Sequence, residues 1–210
     1  MAPTASTIKA YDDAAPDPAA TETATFALGC FWGPDAQFGA LDGVVRTRVG
    51  YAGGTITDPT YHDLGDHTEA FQVGYDPEEQ SFVDLLDLVF RSHDPTQQTR
   101  KTQYQNIIFV ATADQREALA DYLDANDYTV DGIATRVEQR SRFVPAEDYH
   151  QKYSLRNKRS IMGAFEAAGY DETAIRESPA AATLNGHVVG HEVSDADALG
   201  IASTRSVHST

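Results

Sequence analysis

The chain has 210 residues, of which 41% are hydrophobic, and this is enough for one domain with a buried core. Asp and Glu outnumber Lys and Arg by 32 to 16, and the net charge of −16 argues against nucleic acids and anionic membranes as partners. Such acidity is explained either by solubility alone or by adaptation to a salt-rich cytosol, in which like charges are screened. We favour the salt-rich cytosol.

Residues 1–20 are rich in Ala, Pro, Asp and Thr without periodicity, so we expect a flexible leader there. They lack the basic and apolar regions of a secretory signal. The chain also has no stretch of about 18 apolar residues that would predict a membrane span. A cytoplasmic location is therefore the default expectation.

Hydrophobic patterning predicts alternating strands and helices after this leader. The predicted strands are residues 23–28, 44–52, 67–75, 104–110 and 133–137. The predicted helices are residues 32–40, one after a Ser81–Asp84 capping box, one after a Thr112–Gln115 cap, and residues 146–168 with a break near Ser154. This order predicts an α+β fold, a two-layer α/β sandwich with a ferredoxin-like mixed sheet, helices and a C-terminal extension.

Residues 29–33 read Gly-Cys-Phe-Trp-Gly and hold the only Cys and the only Trp of the chain. One Cys excludes an internal disulfide and a metal site built from several cysteines of one chain. Cys30 is either a small buried hydrophobe or a reactive thiol at a strand-to-helix junction. Free N–H groups at a helix start stabilise a thiolate, so we expect the pKa of Cys30 to be lowered. Phe31 and Trp32 would form an apolar wall suited to a small group that carries a methyl and a sulfur.

Further motifs follow this pentapeptide in a fixed order. They are Gly-Tyr-Ala-Gly-Gly at 50–54, Asp-Pro-Thr-Tyr at 58–61, Gly-Asp-His-Thr-Glu-Ala at 65–70, Val-Gly-Tyr-Asp-Pro at 73–77, His-Asp-Pro at 93–95, Thr-Gln-Tyr at 102–104 and Ala-Glu-Asp-Tyr-His-Gln-Lys-Tyr at 146–153. Together these motifs resemble the methionine sulfoxide reductase A family over about residues 23–155.

The resemblance implies an oxidoreductase of the one-cysteine type, acting on methionine S-sulfoxide as the free amino acid or in oxidised proteins. It implies that Cys30 is the nucleophile and becomes a sulfenic acid, which other thiols then reduce. Phe31 and Trp32 are implied to bind the S-methyl group of the substrate. We expect no bound cofactor and no metal.

The resemblance also implies that Glu69, Tyr61 and Tyr104 hydrogen-bond and protonate the sulfoxide oxygen. For Glu69 the pattern agrees, because strand alternation over residues 67–75 places it on the apolar face with Phe71. Burial raises the pKa of a carboxyl, and a neutral acid can donate a proton at pH 7. The alternative for Glu69 is a surface position facing water. The roles of Tyr61 and Tyr104 depend almost wholly on the resemblance.

His67 and His150 raise the alternative of a Cys-His pair like that of thiol hydrolases. No spacing in the sequence places either histidine beside Cys30. We interpret both as structural or supporting residues.

The chain departs from the family pattern in two places. Residues 96–103 form a shorter loop without the family's pocket Asp, and Arg100 or Lys101 replaces it with reversed charge. The resolving cysteines of many members are also missing, so an external thiol must regenerate Cys30. That thiol is either a low-molecular-weight thiol or a thioredoxin-like protein, and we favour the small thiol.

The domain organisation is predicted as a leader at residues 1–20, the catalytic domain at 21–155, an extension at 156–190 and a flexible tail at 191–210. The extension carries Leu-Asn-Gly at residues 184–186, like a subset of the family. It either folds back over the active-site face or docks elsewhere without a catalytic role, and the sequence does not choose between the two.

Three functions are compared on these residues: a one-Cys sulfoxide reductase, a non-catalytic binding module for oxidised methionine, and a Cys-dependent hydrolase. Cys30 together with Glu69 favours the reductase, because a binding module needs no thiol. The hydrolase is disfavoured because no Cys-His pair is placed by the sequence.

Overall fold

The computed structural model describes residues 2–140 and 142–201, and its strands and helices are as follows. The strands are β1 (Glu22–Leu28), β2 (Val44–Ala52), β3 (Thr68–Tyr75), β4 (Asn106–Val110), β5 (Arg136–Gln139) and β6 (Val144–Pro145). The helices are α1 (Ala5–Ala14), α2 (Trp32–Gly39), α3 (Phe82–Arg91), α4 (Ala113–Ala125), α5 (Tyr153–Arg156), α6 (Arg159–Ala167), α7 (Glu172–Glu177) and α8 (Pro179–His187). No helix in this part of the chain combines the length and apolar character needed to cross a bilayer.

The sheet has the strand order β5-β4-β1-β3-β2-β6. Only the β4–β5 pair is parallel, so the sheet is mixed. The units β1-α2-β2 and β3-α3-β4 form the ferredoxin-like core, in which β1 lies between β3 and β4. The predicted α+β fold with a ferredoxin-like sheet is therefore confirmed.

The main core lies between the sheet and helices α2, α3 and α4. Alternation along β3 directs Phe71 and Val73 to this side, where Phe38 of α2 and Leu86 of α3 pack on them. The ring of Phe71 lies 4.9 Å from that of Phe38. This face of the sheet is therefore covered by a continuous apolar layer.

The predicted helix caps are confirmed. Ser81 and Asp84 form a reciprocal capping box at the start of α3, and Thr112 accepts the N–H of Gln115 at the start of α4. Each cap satisfies backbone N–H groups that the first turn of a helix leaves free.

Three predicted elements differ from the structure by more than one residue at a boundary. Residues 102–104 form a short 3₁₀ helix instead of extending β4. Strand β5 begins at Arg136, because Ile133 packs into the main core ahead of the strand. The predicted break near Ser154 is wrong, because Ser154 lies inside α5. The segment 146–168 is instead interrupted at Lys152, whose φ of +52° lies in the left-handed region, and again between α5 and α6.

The N-terminal residues do not form the expected flexible leader, because Ala5–Ala14 is helical. Thr4 and Thr7 form a capping box, and Ile8 is fully buried in a second core with α6 and α8. Asp12 accepts the backbone N–H of Ala180 at 2.7 Å. The composition of this segment and its lack of periodicity predicted a flexible leader, but its few apolar side chains pack on a complementary surface that is distant in the chain.

The C-terminal residues complete this second core. Helices α6, α7 and α8 contribute to it, and so do Val193 and Leu199. The expected flexible tail is therefore ordered as far as Ile201, whereas its remaining residues, 202–210, lie outside the described part of the chain. The division into a catalytic domain and an extension at residue 155 stays a prediction.

Helix α8 packs directly on α2, the helix that follows Cys30. Close approach depends on small residues, since a Cβ on Gly39 would lie 2.6 Å from the carbonyl oxygen of Ala182. Asn185 donates a hydrogen bond of 2.9 Å to Asp35 of α2. The extension thus supports the back of α2 and leaves Cys30 exposed.

Candidate active site

Cys30 lies in the turn between β1 and α2. Gly29 makes this turn with a φ of +70°, a conformation that glycine adopts without strain. The Cys30 side chain is exposed. The sulfur is therefore accessible from solvent, unlike a structural cysteine in the core.

Glu69 lies on β3 beside this turn and is 1% exposed, which confirms its predicted burial. Its Oε2 accepts the backbone N–H of Phe31 at 3.2 Å, and its Oε1 accepts Nε2 of Gln103 at 2.7 Å. Burial raises the pKa of Glu69, and these two donors only partly oppose the rise. Burial thereby favours the neutral form of this carboxyl beside the Cys30 turn.

The predicted lowering of the Cys30 pKa is wrong, because the pKa is raised. Partial desolvation of the thiol is the main cause of the rise. The nearby Glu69 carboxylate raises the pKa of Cys30 further through its charge and a hydrogen bond. The backbone N–H of Trp32 does lower the pKa, as expected of a helix start, but it is outweighed. The sequence places the helix beside the thiol and predicts an inward-facing Glu69, but it does not show how strongly burial and this carboxylate act on the thiol.

The predicted aromatic wall is present. Phe31 is buried, and Trp32 stacks on Tyr153 with ring centroids 3.7 Å apart and planes 6° apart. The indole Nε1 of Trp32 donates to Nδ1 of His150 at 3.2 Å, and the edge of His150 contacts Phe31 at 5.3 Å between centroids. The two residues that follow Cys30 are therefore held in a cluster of aromatic rings.

Tyr61 and Tyr104 join the same cluster. The ring of Tyr61 lies 4.8 Å from that of His150. Tyr104 follows Gln103, whose side chain binds Glu69, and its pKa is raised by burial and then by the charges of Glu69, Tyr61 and Cys30. The structure thus brings together Cys30, Glu69, the aromatic wall, Tyr61, Tyr104 and His150, whereas His67 binds a separate loop.

Comparisons with known proteins identify the family of this chain. The family model described as peptide methionine sulfoxide reductase matches residues 22–180. The chain belongs to the peptide methionine sulfoxide reductase family.

Relatives from distant organisms support the assignment. A peptide methionine sulfoxide reductase of Drosophila melanogaster is 39% identical over 80% of this chain and 68% of its own length. The enzyme named MsrA from Haloquadratum walsbyi is 43% identical over 65% of this chain and 84% of its own. The crystal structure of Mxr1 from Saccharomyces cerevisiae in reduced form has 31% identity and a TM-score of 0.61, covering 68% of this chain and 88% of that one.

The reductase site contains supporting residues to which sequence reasoning gave no role. Glu147 accepts the hydroxyl of Tyr51 at 2.7 Å and the backbone N–H of Tyr61 at 3.0 Å. Although burial alone would raise it, the pKa of Glu147 is lowered by these donors. Glu147 and Tyr153 lie in the quoted 146–153 motif, which was the available signal, but the motif alone does not tell which side chains turn inward.

His150 and His67 differ in what they support. His150 contacts the Cys30 turn through Trp32, and burial lowers its pKa, so it is neutral with the proton on Nε2. His67 instead binds the backbone of the 54–56 loop, through Gly54 N–H at 3.3 Å and Ile56 O at 3.0 Å. His67 is thus structural, and His150 orients an aromatic of the site.

The 96–103 loop brings a cation close to Tyr104 and Glu69. Nζ of Lys101 lies 4.2 Å from the centroid of the Tyr104 ring, a cation–π contact. Its charge lowers the pKa of Glu69 and so opposes the effect of burial. Among the described residues, no group of three or more His, Cys, Asp and Glu side chains is arranged to hold a metal ion.

Proposed function

We propose that this protein reduces the S epimer of methionine sulfoxide, free or in oxidised proteins, to methionine. One observation carries the proposal: an accessible Cys30 thiol lies beside the buried Glu69 carboxyl, which the Phe31 N–H holds at 3.2 Å. The pair supplies a nucleophile for the sulfoxide sulfur and an acid for its oxygen.

Substrate binding is assigned to the aromatic wall. The S-methyl group would lie against Phe31 and Trp32, because sulfur and methyl groups pack favourably on aromatic rings. Tyr153 and His150 support the proposal, since they hold the Trp32 ring by stacking and by a hydrogen bond. A rigid wall favours one orientation of a chiral sulfoxide over its mirror image.

In the chemical step, the Cys30 thiolate attacks the sulfoxide sulfur while Glu69 transfers its proton to the oxygen. The S–O bond to methionine breaks, an S–O bond to Cys30 forms, and the products are methionine and Cys30 sulfenic acid. An ionised Glu69 raises the pKa of Cys30 by its charge. A protonated Glu69 therefore both supplies the proton and removes this obstacle to a thiolate.

Tyr61 and Tyr104 are proposed to donate hydrogen bonds to the sulfoxide oxygen as it gains negative charge. Donors aimed at a developing charge lower the barrier most effectively in a partly dry site. Burial and the charges of Glu69, Tyr61 and Cys30 raise the pKa of Tyr104, so its phenol keeps its proton and stays a donor.

Regeneration is proposed to use an external thiol, because Cys30 is the only cysteine of the chain. The first thiol condenses with the sulfenic acid to a mixed disulfide and water, and a second thiol releases Cys30 as a disulfide forms between the two. We favour a low-molecular-weight thiol over a thioredoxin-like protein.

The test compares wild type with Cys30→Ser on racemic methionine sulfoxide and dithiothreitol. Wild type should consume only the S epimer, and the variant neither. Without reductant, wild type should yield about one methionine per chain and a sulfenic acid that dimedone traps. Equal turnover by both proteins would overturn the proposal, whereas binding without turnover by wild type would favour the non-catalytic binding module.

The reductant is tested by supplying thioredoxin with its reductase and NADPH in one assay and a small dithiol in another. Turnover with the dithiol alone supports the small thiol. Turnover at comparable rates with thioredoxin would instead establish a protein reductant.

We also propose that the protein works in a salt-rich cytoplasm, because its net charge of −16 is self-repelling at low ionic strength. Screening by potassium chloride should therefore raise the midpoint of thermal unfolding. A midpoint that is unchanged between low salt and about 1 M potassium chloride, where the Debye length is roughly 3 Å, would contradict it.

A further inference from the structure

A cleft on the other side of the sheet has an unusual charge for so acidic a protein. Its volume is about 490 Å³. It is lined by Arg48, Gln72, Arg140, Arg142, Phe143, Pro145, Arg176 and Glu177. Four arginines thus face one carboxylate, although the whole chain carries a net charge of −16.

Strand alternation separates this cleft from the catalytic site. Thr47 donates a 2.6 Å hydrogen bond to Asp35 of α2, so Arg48 points to the opposite face. On β3, Gln72 likewise points away from the face that carries Glu69. A ligand in the cleft would therefore leave the Cys30 turn free.

The single carboxylate is already fully engaged. Arg48 binds both oxygens of Glu177 through Nε at 2.9 Å, and Arg176 binds one of them at 3.0 Å. These two arginines lower the pKa of Glu177, which stays ionised. Glu177 can balance only one of the two charges that it binds.

The other two arginines are poorly neutralised. Arg142 lies 3.7 Å from Asp58, whose side chain is 86% exposed, so water screens the pair strongly. Arg140 is exposed and has no acidic partner among residues 2–140 and 142–201. The cleft therefore keeps an excess of positive charge.

A neighbouring cavity of about 230 Å³ extends the cationic surface and shares Arg48 and Gln72 with the cleft. Arg46 lines it, and the Nε of Arg46 is buried without a hydrogen-bond partner among the described residues. A buried donor left unpaired is costly, and an anionic acceptor would satisfy it. The pKa of Arg46 is lowered by burial and by the adjacent charge of Arg48, both of which an anion would relieve.

We propose that this cleft, defined by Arg48, Arg140, Arg142 and Arg176, binds a small molecule with two or more carboxylate or phosphate groups. Guanidinium groups pair with such oxyanions through two parallel hydrogen bonds. The cleft has the size of a small-ligand pocket rather than of a protein interface. The acidic surface elsewhere repels anions, so the ligand is directed to this one face.

The experiment measures binding of citrate and of pyrophosphate by isothermal titration calorimetry, at ionic strength held constant with sodium chloride. Citrate represents carboxylate ligands and pyrophosphate represents phosphate ligands, so the tighter of the two identifies the source. Binding by either one supports the proposal. Its failure leaves the reductase activity untouched, because the cleft does not include Cys30.

Arg140→Gln is the test variant, and Arg159→Gln is its matched control. Arg140 is exposed with no side-chain hydrogen bond among the described residues, and Arg159 is an exposed residue of α6 outside the cleft, so neither change should unfold the protein. Both variants change the net charge equally. Arg140→Gln should weaken binding about tenfold, as expected for one lost charged hydrogen-bond pair, and Arg159→Gln less than twofold.

Three results would overturn the proposal. The first is that neither anion binds more tightly than chloride at equal ionic strength. The second is that the two variants weaken binding equally, which would indicate an effect of net charge. A tetraglutamate peptide that binds while both small anions do not would assign the cleft to an acidic protein segment instead.

Discussion

The ammonium group of Lys152 lies 3.5 Å from the Asp35 carboxylate, and neither side chain is accessible to solvent. Nζ also donates to the backbone oxygen of Thr47 at 2.6 Å, while Asn185 of α8 donates to the other oxygen of Asp35 at 2.9 Å. This network joins α2 to β2, to α8 and to the segment that carries His150. A buried ion pair thus fixes helix α2, which follows Cys30, to the rest of the fold.

Lys152→Met is therefore expected to cost about 3–5 kcal/mol in free energy of unfolding, because it leaves Asp35 charged, buried and without its cation. Adding Asp35→Asn should recover part of this loss, since the unpaired charge is then removed. Urea denaturation monitored by circular dichroism measures both. Lys158→Met at an exposed position is the control, within about 0.5 kcal/mol of wild type. A Lys152→Met cost no larger than that of the control would contradict the assignment.

Gly186→Ala should destabilise the protein by about 1–3 kcal/mol, because its Cβ would lie 2.5 Å from the carbonyl oxygen of Ala36 in α2. Gly163→Ala in α6 is the matched control, since nothing lies within 4 Å of its Cβ position. That control should gain about 0.5–1 kcal/mol from the better helix propensity of alanine. Thermal unfolding of the two variants gives opposite signs if α8 packs on α2 as described.

The pH dependence of Cys30 alkylation tests the contact with Glu69. The carboxylate charge and its hydrogen bond raise the pKa of the thiol beyond the effect of burial, so Glu69→Gln should move the midpoint of the iodoacetamide rate profile to lower pH. Because burial is the larger cause, the midpoint should stay above that of an ordinary thiol. Glu147 does not contribute to the raised pKa of Cys30, so the control variant Glu147→Gln should leave the midpoint of the rate profile unchanged. A midpoint that rises or stays constant in Glu69→Gln would contradict the conclusion that Glu69 raises the pKa of Cys30.

Glu69 also makes a prediction for stability. Because burial raises its folded pKa above the unfolded value, the folded state binds more protons, and its stability falls as pH rises through that interval. Glu69→Gln cannot ionise and escapes this loss. Its midpoint of thermal unfolding should therefore exceed that of wild type at neutral pH by more than it does at pH about 4. A difference independent of pH would contradict a raised pKa.

Tyr153 is predicted to orient Trp32 for the substrate. Tyr153→Ala removes the stack at 3.7 Å and should raise KM about three- to tenfold, in line with the worth of an aromatic pair. Tyr153→Phe keeps the stack and should resemble wild type. Fluorescence of Trp32, the only Trp of the chain, reports the loss independently. Equal KM values for Tyr153→Ala and Tyr153→Phe would show that the stack of Trp32 on Tyr153 does not contribute to substrate binding.

Local patterns predicted much of the fold. The alternation in β3 placed Glu69 on the buried face, and the caps at Ser81 and Thr112 marked where α3 and α4 begin. These signals work because each depends on residues a few positions apart. Helix α1 was missed for the opposite reason, since Ile8 becomes buried only against residues near the other end of the chain.

The sequence by itself determined that Cys30, Phe31 and Trp32 meet at a strand-to-helix junction, because neighbours in the chain remain neighbours in space. Only the tertiary structure decided the electrostatics of the thiol and the partners of the aromatic wall. Trp32 and His150 are 118 positions apart, and the Phe31–Glu69 bond spans 38. Burial and facing charges come from such distant contacts, so the pKa of Cys30 had to be read from the assembled site.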